Sequence, residues 1–510
     1  MSMSLEIDNT SYALPELILP EKRYKPIELM SYEEYITHLN YLKSEELPEL
    51  SESVNTIVGK LSKEYSKVMF GGKYQIMQES INDVIEFHMP NEIKQFNKDL
   101  KIPYMKGDKR HFKQIFEAFE ESTEAPKFGR VDFNPSQIGD YGKTKNLFRG
   151  FPLEDDRYIP LDVDLILASA KDIQCHVDKH YPNASRVIEH LFNNIADGNV
   201  DLAIQILAFI ADILQNPDKS PMVALILKSA DKGTGKSLFA EVIKALVGKR
   251  LSFTTSHLDK IIGRFNDHLI DKLVVVGEEI SFGGSHDTND KIKDLITSSH
   301  QSIEPKFKAI IQVRKYFRLV LCTNKDWAVN ASSDERRYII ADVASHQAQN
   351  DEYFAPIHDN GVIKKTVIKD LFDFLKSLDY SDIDLSKGVE TEGMKSQKRQ
   401  SMPPIEQWWD CCLEDDRIGG NFDMEGNYSI DNKLIPKGEV HNAYLKWLDK
   451  TKPNDKTRVT NSKVFGRTFL ALARGKNKNL INSERKDVNN NHCYDFGSIE
   501  ELKKYFDSRF

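Results

Sequence analysis

The chain has 510 residues, 40% hydrophobic and 29% charged, with a formal net charge of −8. That length calls for more than one core, and the apolar content is enough to fill several. The acidic balance excludes a general polycation, so any contact with nucleic acid has to rest on local basic surfaces.

In chain order, residues 1–55 carry short helical patterns such as SYEEYITHLNYLKS, and the acidic start MSMSLEIDNTSYALPE lacks the apolar core of a signal peptide. VGKLSKEYSKVMFGGKYQIM (58–77) predicts a helix and then a hairpin turning at Gly71-Gly72. The pattern from 78 to 160 is mixed, which makes 1–160 an N-terminal α+β domain. An apolar period of helical type over 161–215 predicts a small bundle, closed by VDLAIQILAFIADIL (200–214). MVALILK (222–228), KLVVVGEE (272–279) and FRLVLCTN (317–324) are nearly continuous apolar strands, and SLFAEVIKALVG (237–248) is a helix. Strands and helices alternating in this way predict an α/β domain with a parallel sheet over 216–380. The polar, breaker-rich stretch 381–404 is the expected linker. In 405–510 two helices precede two strands joined at Asn489-Asn490-Asn491, the order of a winged helix.

No apolar run approaches the ~18 residues of a membrane helix, so no membrane partner is expected. The cysteines (Cys175, Cys322, Cys411, Cys412, Cys493) are odd in number and lack C-x-x-C spacing. Neither a disulfide framework nor a zinc site is expected, and a cytoplasmic location fits.

KSADKGTGKS (228–237) lies between a strand and a helix, the context of a phosphate-binding loop. The candidate nucleotide-binding residues are Ala230, Asp231, Lys232, Gly233, Thr234, Gly235, Lys236, Ser237 and Leu238. Gly233 and Gly235 let the backbone approach phosphate oxygens, and the helix N-terminus adds partial positive charge. Lys236 is placed to reach the β- and γ-phosphates, and Ser237 to hold Mg2+. Ala230 stands where G-x-x-x-x-G-K-[ST] has glycine, which alanine can replace if its φ stays negative. The plainer alternative is a lysine-rich loop in front of a helix.

Downstream residues weigh against that alternative. Glu278 and Glu279 close an apolar strand, where unpaired burial of a carboxylate costs about several kcal/mol and packing gains nothing. We assign Glu278 to the Mg2+ shell and Glu279 to the general base. Asn324, closing the next strand, can orient the attacking water or touch the γ-phosphate. Arg336 and Arg337 can act as an arginine finger on a neighbouring subunit's γ-phosphate. The choice between them stays open, with Arg336 preferred.

Lysine, acidic pair, asparagine and arginines fall within about a hundred residues. That order and spacing resembles the superfamily 3 helicases of small viruses, phages and plasmids. SIEPKFKAIIQVRKYFRLVLCTN lies where that family carries a β-hairpin with a K-x-K pattern, matched by Lys306, Phe307 and Lys308. GRFNDHLIDKLVVVGEE, with Gly263, Phe265 and Asn266, is similar to the phage and plasmid primase–helicase branch, which includes poxvirus-type relatives. So are KEYSKVMFGGKYQIM, KNLFRGFPLE and IADILQNPDKSPMVALIL, and the resemblance covers 58–345. Ala230 and Glu278, where aspartate is more frequent, depart from the pattern.

The resemblance implies an AAA+-like P-loop NTPase core, with 161–215 as an oligomerisation collar. It implies an ATP- and Mg2+-dependent, 3′ to 5′ DNA helicase acting as a hexamer on single-stranded and forked DNA. The setting would be replication of a phage, plasmid or mobile island. The first 160 residues show no paired-aspartate strand with a partner histidine, so no polymerising activity is expected. A separate primase or polymerase is left as a partner. In 461–486 seven Lys/Arg stand against one Glu, among them Lys463, Arg467 and Arg474 as candidates for a duplex backbone. A purely structural or protein-docking role for that unit stays open. Two other functions fit the same residues. One is a DNA-stimulated switch ATPase, for example in phage defence. The other is a replication-initiator scaffold that binds DNA with a degenerate nucleotide site.

Overall fold

The computed structural model describes residues 25–80, 84–153, 159–161, 164–220, 222–280, 286–304, 310–325, 329, 331–332, 335–418, 428–431, 433–453, 458–473, 480–483, 485–487 and 489–508, with 286 and 287 as backbone only. The chain divides into two compact units, 1–132 with 140–145 and 133–139 with 146–510.

In the first unit, helices Tyr32–Tyr41 and Leu50–Leu61 lead into a hairpin of strands Tyr65–Phe70 and Lys73–Glu79. Gly71 and Gly72 turn it with φ of 58° and 73°, the paired positive values a two-residue turn needs. The expected helix and hairpin over 58–77 are therefore present. Leu39, Ile57, Leu61, Ile76, Ile102, Phe116 and Phe119 form the core of this unit. A second hairpin pairs Lys101–Lys106 with Lys109–Gln114.

The second unit begins with helices α1 (Ala170–His180), α2 (Ser185–His190) and α3 (Val200–Gln215). Strand β1 (Ala224–Lys228) and helix α4 (Lys236–Val247) follow, then β2 (Ser252–Thr255) and β3 (Val274–Glu278). Helix α5 (His286–Thr297), the strand pair β4 (His300–Ile303) and β5 (Ile311–Arg314), β6 (Arg318–Thr323) and β7 (Tyr338–Asp342) complete the core. Five strands form one sheet in the order β2-β3-β6-β1-β7, every neighbouring pair parallel. Their runs of valine, leucine and isoleucine are buried because helices leave little of the sheet exposed to water.

Domain boundaries differ from the sequence expectation at three places. Residues 133–139 and 146–153, expected in the N-terminal domain, belong to the second unit. Phe133, Phe148 and Phe151 form an edge-to-face chain reaching Tyr316 and Phe372, with centroids 5.6–6.0 Å apart. Helix α3, expected in the collar, is bonded to the sheet. Leu202 through Leu214 are all buried, and Asp212 ties the helix to the sheet. The expected linker contains helix α7 (Glu392–Ser401), following α6 (Lys365–Ser377). Thr391 donates to the Ile340 carbonyl of β7, and Gln397 is fully buried and accepts from Val329 N–H. Its polar side chains satisfy buried backbone, so polarity there does not mean solvent.

The C-terminal part contains α8 (Pro404–Glu414), β8 (Leu434–Pro436), α9 (Lys437–Thr451), α10 (Ser462–Ala473), β9 (Ile481–Asn482), β10 (Cys493–Phe496) and α11 (Ile499–Asp507). β8, β10 and β9 make an antiparallel sheet over a core of Trp408, Trp409, Tyr444, Phe465 and Phe469. No helix among the described residues is long and apolar enough to cross a membrane.

Arg318, fully buried at the start of central strand β6, fastens α3 to the sheet. Its guanidinium meets the Asp212 carboxylate at 2.6 Å and donates to the carbonyls of Asp212 and Asn216 at 3.2 and 2.9 Å. The Tyr380 hydroxyl holds the other Asp212 oxygen at 3.0 Å. Removing one partner strands a buried charge. Asp212→Ala should lower stability by about 3–5 kcal/mol. Asp212→Leu combined with Arg318→Met should lose much less, as calorimetric unfolding of the full chain would read. Equal losses in both variants would contradict the pairing.

Candidate functional site

Parallel pairing brings the carboxyl ends of β1, β3 and β6 to one edge of the sheet, where open α/β sheets bind ligands. Glu278 lies opposite Cys322, and Cys322 opposite Leu227, so the three ends are level. Ser229 N–H donates to the Thr323 carbonyl, which seats the loop after β1 against the end of β6. The resulting cleft, about 680 Å³, is lined by Lys232 through Leu238, Glu278, Glu279, Cys322, Thr323 and Asn324. Gln349, Asp351, Phe354, His358 and Gly361 complete its wall.

Within the loop, Gly233 and Gly235 have φ of 74° and 90°, a region that side chains rarely tolerate. Ala230 keeps a negative φ, which is why alanine serves there. Gly235 caps α4, whose first-turn N–H groups have no partner within the helix and face the cleft end. Lys236 is buried, and its ammonium turns back on the loop, donating to Ser229 Oγ at 2.8 Å, the Asp231 carbonyl at 3.2 Å and Thr234 Oγ1 at 3.3 Å. Burial lowers its pKa, opposed by Cys322 and Asp231. These neutral acceptors are what a phosphate oxygen would replace with a charge-assisted bond.

Glu278 is half-buried, and Glu279 is exposed with φ of 55°. A glutamate held in the left-handed region is strained by about 1–3 kcal/mol, and such strain gathers at functional sites. Asn324 Oδ1 is buried and has no hydrogen-bond partner among the described residues. Mg2+ takes one or two carboxylates and fills its shell with water and phosphate oxygens. Ser237, exposed on the first turn of α4, and Glu278 fit that need. Among the described residues no group of three or more His, Cys, Asp or Glu forms a metal cage.

Sequence reasoning missed the residues that support the loop. His190, from α2, and Phe354 press against Gly235. A Cβ there would lie 2.5 Å from His190 Nε2 and 2.9 Å from the Phe354 ring. Gln349, itself at φ 60°, donates its N–H to the Gly233 carbonyl at 3.0 Å. Burial pushes the His190 imidazole down to about 4 against a weak pull from the Gly235 backbone, so it is neutral near pH 7. Cys322, its thiol pushed up to about 12 by burial, sits behind Lys236 and donates to its carbonyl at 3.9 Å. Ser229, within KSADKGTGKS, adds a hydroxyl that holds Lys236.

Arg336 and Arg337 lie away from this edge. The Arg337 carbonyl accepts from Ala224 N–H at the start of β1, one strand length from the loop, roughly 16 Å. Arg337 is held by the buried Glu335 carboxylate at 3.0 Å, which also takes Lys293 at 3.0 Å. Arg336 is exposed, with no side-chain partner among the described residues. Lys306, Phe307 and Lys308 lie outside the described residues, although β4 and β5 on either side pair with Ile303 opposite Ile311. Lys463 and Arg467 are exposed one turn apart on α10, and Arg474 lies outside the described residues.

The fold and cleft define an α/β protein with a parallel five-stranded sheet and a glycine loop at its carboxyl edge. A family model described as a family of unknown function (DUF5906) matches residues 227–337, from the end of β1 through the arginine pair. No curated protein matches the sequence. Among solved structures, the apo C-terminal region of NrS-1 (305–718) is 15% identical at a TM-score of 0.53, covering 86% of this chain and 96% of that one. Two A-form apo structures of the same region give 0.51 and 0.52, each covering 97% of that chain. The likeness extends the shared fold over most of the chain.

Two outcomes follow from the support of Gly235. Gly235→Ala should lower the unfolding temperature in calorimetry, because a methyl group there meets His190 and Phe354 and a φ of 90° strains alanine; an unchanged unfolding temperature would contradict the packing. Between the ordinary histidine value of 6.5 and about 4, the unfolded chain binds a proton that buried His190 does not. Stability should therefore be complete above that window and fall by up to about 3 kcal/mol as pH drops through it. His190→Gln should remove that part of the acid dependence; an unchanged slope of unfolding temperature against pH would contradict it.

Proposed function

We propose that the protein is an ATP-dependent DNA helicase of the superfamily 3 type, acting as a ring in replication of a phage, plasmid or mobile element. The carrying observation is the convergence on one cleft of the Gly233–Gly235–Lys236 loop, the Glu278–Glu279 strand end and Asn324. In this reading Lys236 leaves its loop acceptors for the β- and γ-phosphates. Ser237 and Glu278 hold Mg2+, which neutralises phosphate charge when bound. Glu279, exposed beyond the strand, takes the proton of the attacking water, and the Asn324 side chain, whose buried Oδ1 has no partner among the described residues, orients that water.

The position of the arginines supports a site shared between copies. Neither can reach its own cleft from the opposite end of the sheet. Arg337 is committed to Glu335, which leaves Arg336 as the group offered to a neighbour's γ-phosphate. A ring, expected to be a hexamer, would place Lys306 and Lys308, which lie in sequence between β4 and β5, around a single strand. In the C-terminal part, Lys463 and Arg467 on a winged-helix-like module would contact duplex phosphates.

Subunit mixing tests the shared site. Lys236→Ala should eliminate binding and hydrolysis, and Glu279→Gln should keep binding while kcat falls about 10²–10⁴-fold. Arg336→Ala should cost about 10³–10⁵-fold in kcat. Mixing Arg336→Ala with Lys236→Ala protein should restore part of the activity, because each supplies what the other lacks. No restoration would contradict the shared site. On a forked duplex, Lys306→Ala with Lys308→Ala should abolish strand separation. DNA-stimulated hydrolysis by wild type without strand separation would favour the switch ATPase, and unchanged activity in Lys236→Ala a scaffold.

A further inference from the structure

The hairpin of Lys101–Lys106 and Lys109–Gln114 in the first unit has a composition unlike the acidic chain around it. Between 101 and 114 the charged residues are Lys101, Lys106, Lys109, Arg110 and Lys113 against Asp108 alone. Two of these cations are engaged. Arg110 donates to the carbonyls of Leu39, Asn40 and Leu42, and Lys113 pairs with Glu121 at 2.5 Å. Lys101, Lys106 and Lys109 are exposed and have no ion pair among the described residues.

The register shows what these side chains face. Lys106 lies directly opposite Lys109, and Tyr104 directly opposite His111. Because side chains alternate along a strand, all four share one face. Like charges directly opposite weaken a strand pair, and Asp108, in the turn between them, forms no ion pair with either lysine among the described residues. Next to them the Tyr104 and His111 rings lie with centroids 5.7 Å apart at 31°, half-buried and exposed respectively. Phe112 on the opposite face and Phe96 at the end of helix Pro90–Phe96 are 55% and 88% exposed. The Gln114 amide donates to the Asn97 carbonyl at 3.2 Å, fastening that helix end to the hairpin base.

We propose that this hairpin face binds single-stranded nucleic acid, with Lys106 and Lys109 on phosphates and the Tyr104–His111 pair as a platform for a base. Phosphate relieves the opposed ammonium groups, and an aromatic platform stacks any base without reading it. A duplex offers no free base face to such a platform, and an acidic peptide would use the lysines but not the rings. The surface is independent of the cleft and of the activity proposed for it.

The test uses the full chain without nucleotide triphosphate, with a labelled thymidine 20-mer and a matching duplex. Lys106→Glu with Lys109→Glu should weaken 20-mer binding at least about tenfold and make the salt dependence of log K shallower by roughly 1.4. Tyr104→Ala should weaken it about tenfold. Photocrosslinking of wild type to a 5-iodouracil 20-mer, read by peptide mass mapping, should label Tyr104 or His111, which needs no variant to fold. Crosslinks confined to other segments with unchanged affinity would overturn the proposal. So would equal loss of 20-mer and duplex affinity in Tyr104→Ala, or an acidic peptide that displaces the 20-mer from these crosslinks.

Discussion

Strand β6 stands between the strand that feeds the glycine loop and the strand that ends in two glutamates, and the chemistry of the cleft depends on that placement. Two strand spacings separate Leu227 from Glu278, roughly 10 Å. Were β3 paired directly with β1, the carboxylate would approach the Lys236 ammonium and close the site with an ion pair. With β6 inserted, Lys236 turns to neutral oxygens of its own loop, and room remains for phosphate and a hydrated cation. The inserted strand also brings Asn324 to the gap. Its far end is fixed by the Arg318–Asp212 pair, so the central strand is anchored at one end and opens on the cleft at the other.

The loop conformation is a product of packing as much as of glycine. Gly235 holds a φ of 90° with His190 from a helix before the sheet and Phe354 from a segment after it, both closer than a methyl group would allow. Gln349 fixes Gly233 by a backbone bond and is itself in the left-handed region. Phosphate recognition would thus be coupled to two segments far apart in sequence, α2 and the stretch following β7. A ligand that shifts the loop has to move both.

Three of the five strands were legible in the sequence because they are continuous apolar runs, VALILK, KLVVV and FRLVLC, whereas the edge strands β2 (SFTT) and β7 (YIIAD) are too short or too polar to stand out. The loop was legible because glycine spacing and lysine follow one of those runs directly. His190, Phe354 and Gln349 were not. A lone histidine on an apolar helix, a phenylalanine and a glutamine carry no spacing signal, and only the folded chain brings them to Gly235. Helix α7 was hidden for the opposite reason. EGMKSQKRQS reads as solvated linker, yet Gln397 is buried and accepts from the Val329 N–H. Phe148 and Phe151 belong to the second unit through aromatic contacts with Phe133 and Phe372, far apart in sequence, and such contacts leave no mark on local periodicity.

The arginines stand at the opposite end of the sheet from the cleft, which is what the proposed site shared between copies rests on, while the first unit presents a basic, aromatic face of its own. Electron microscopy of the protein with a non-hydrolysable ATP analogue and single-stranded DNA bears on the cleft most directly. Triphosphate should lie against Lys236 and the first turn of α4, with Arg336 of an adjacent copy at the γ-phosphate. Nucleotide seated elsewhere, or a strictly monomeric particle with triphosphate bound and no second copy near it, would contradict the shared site.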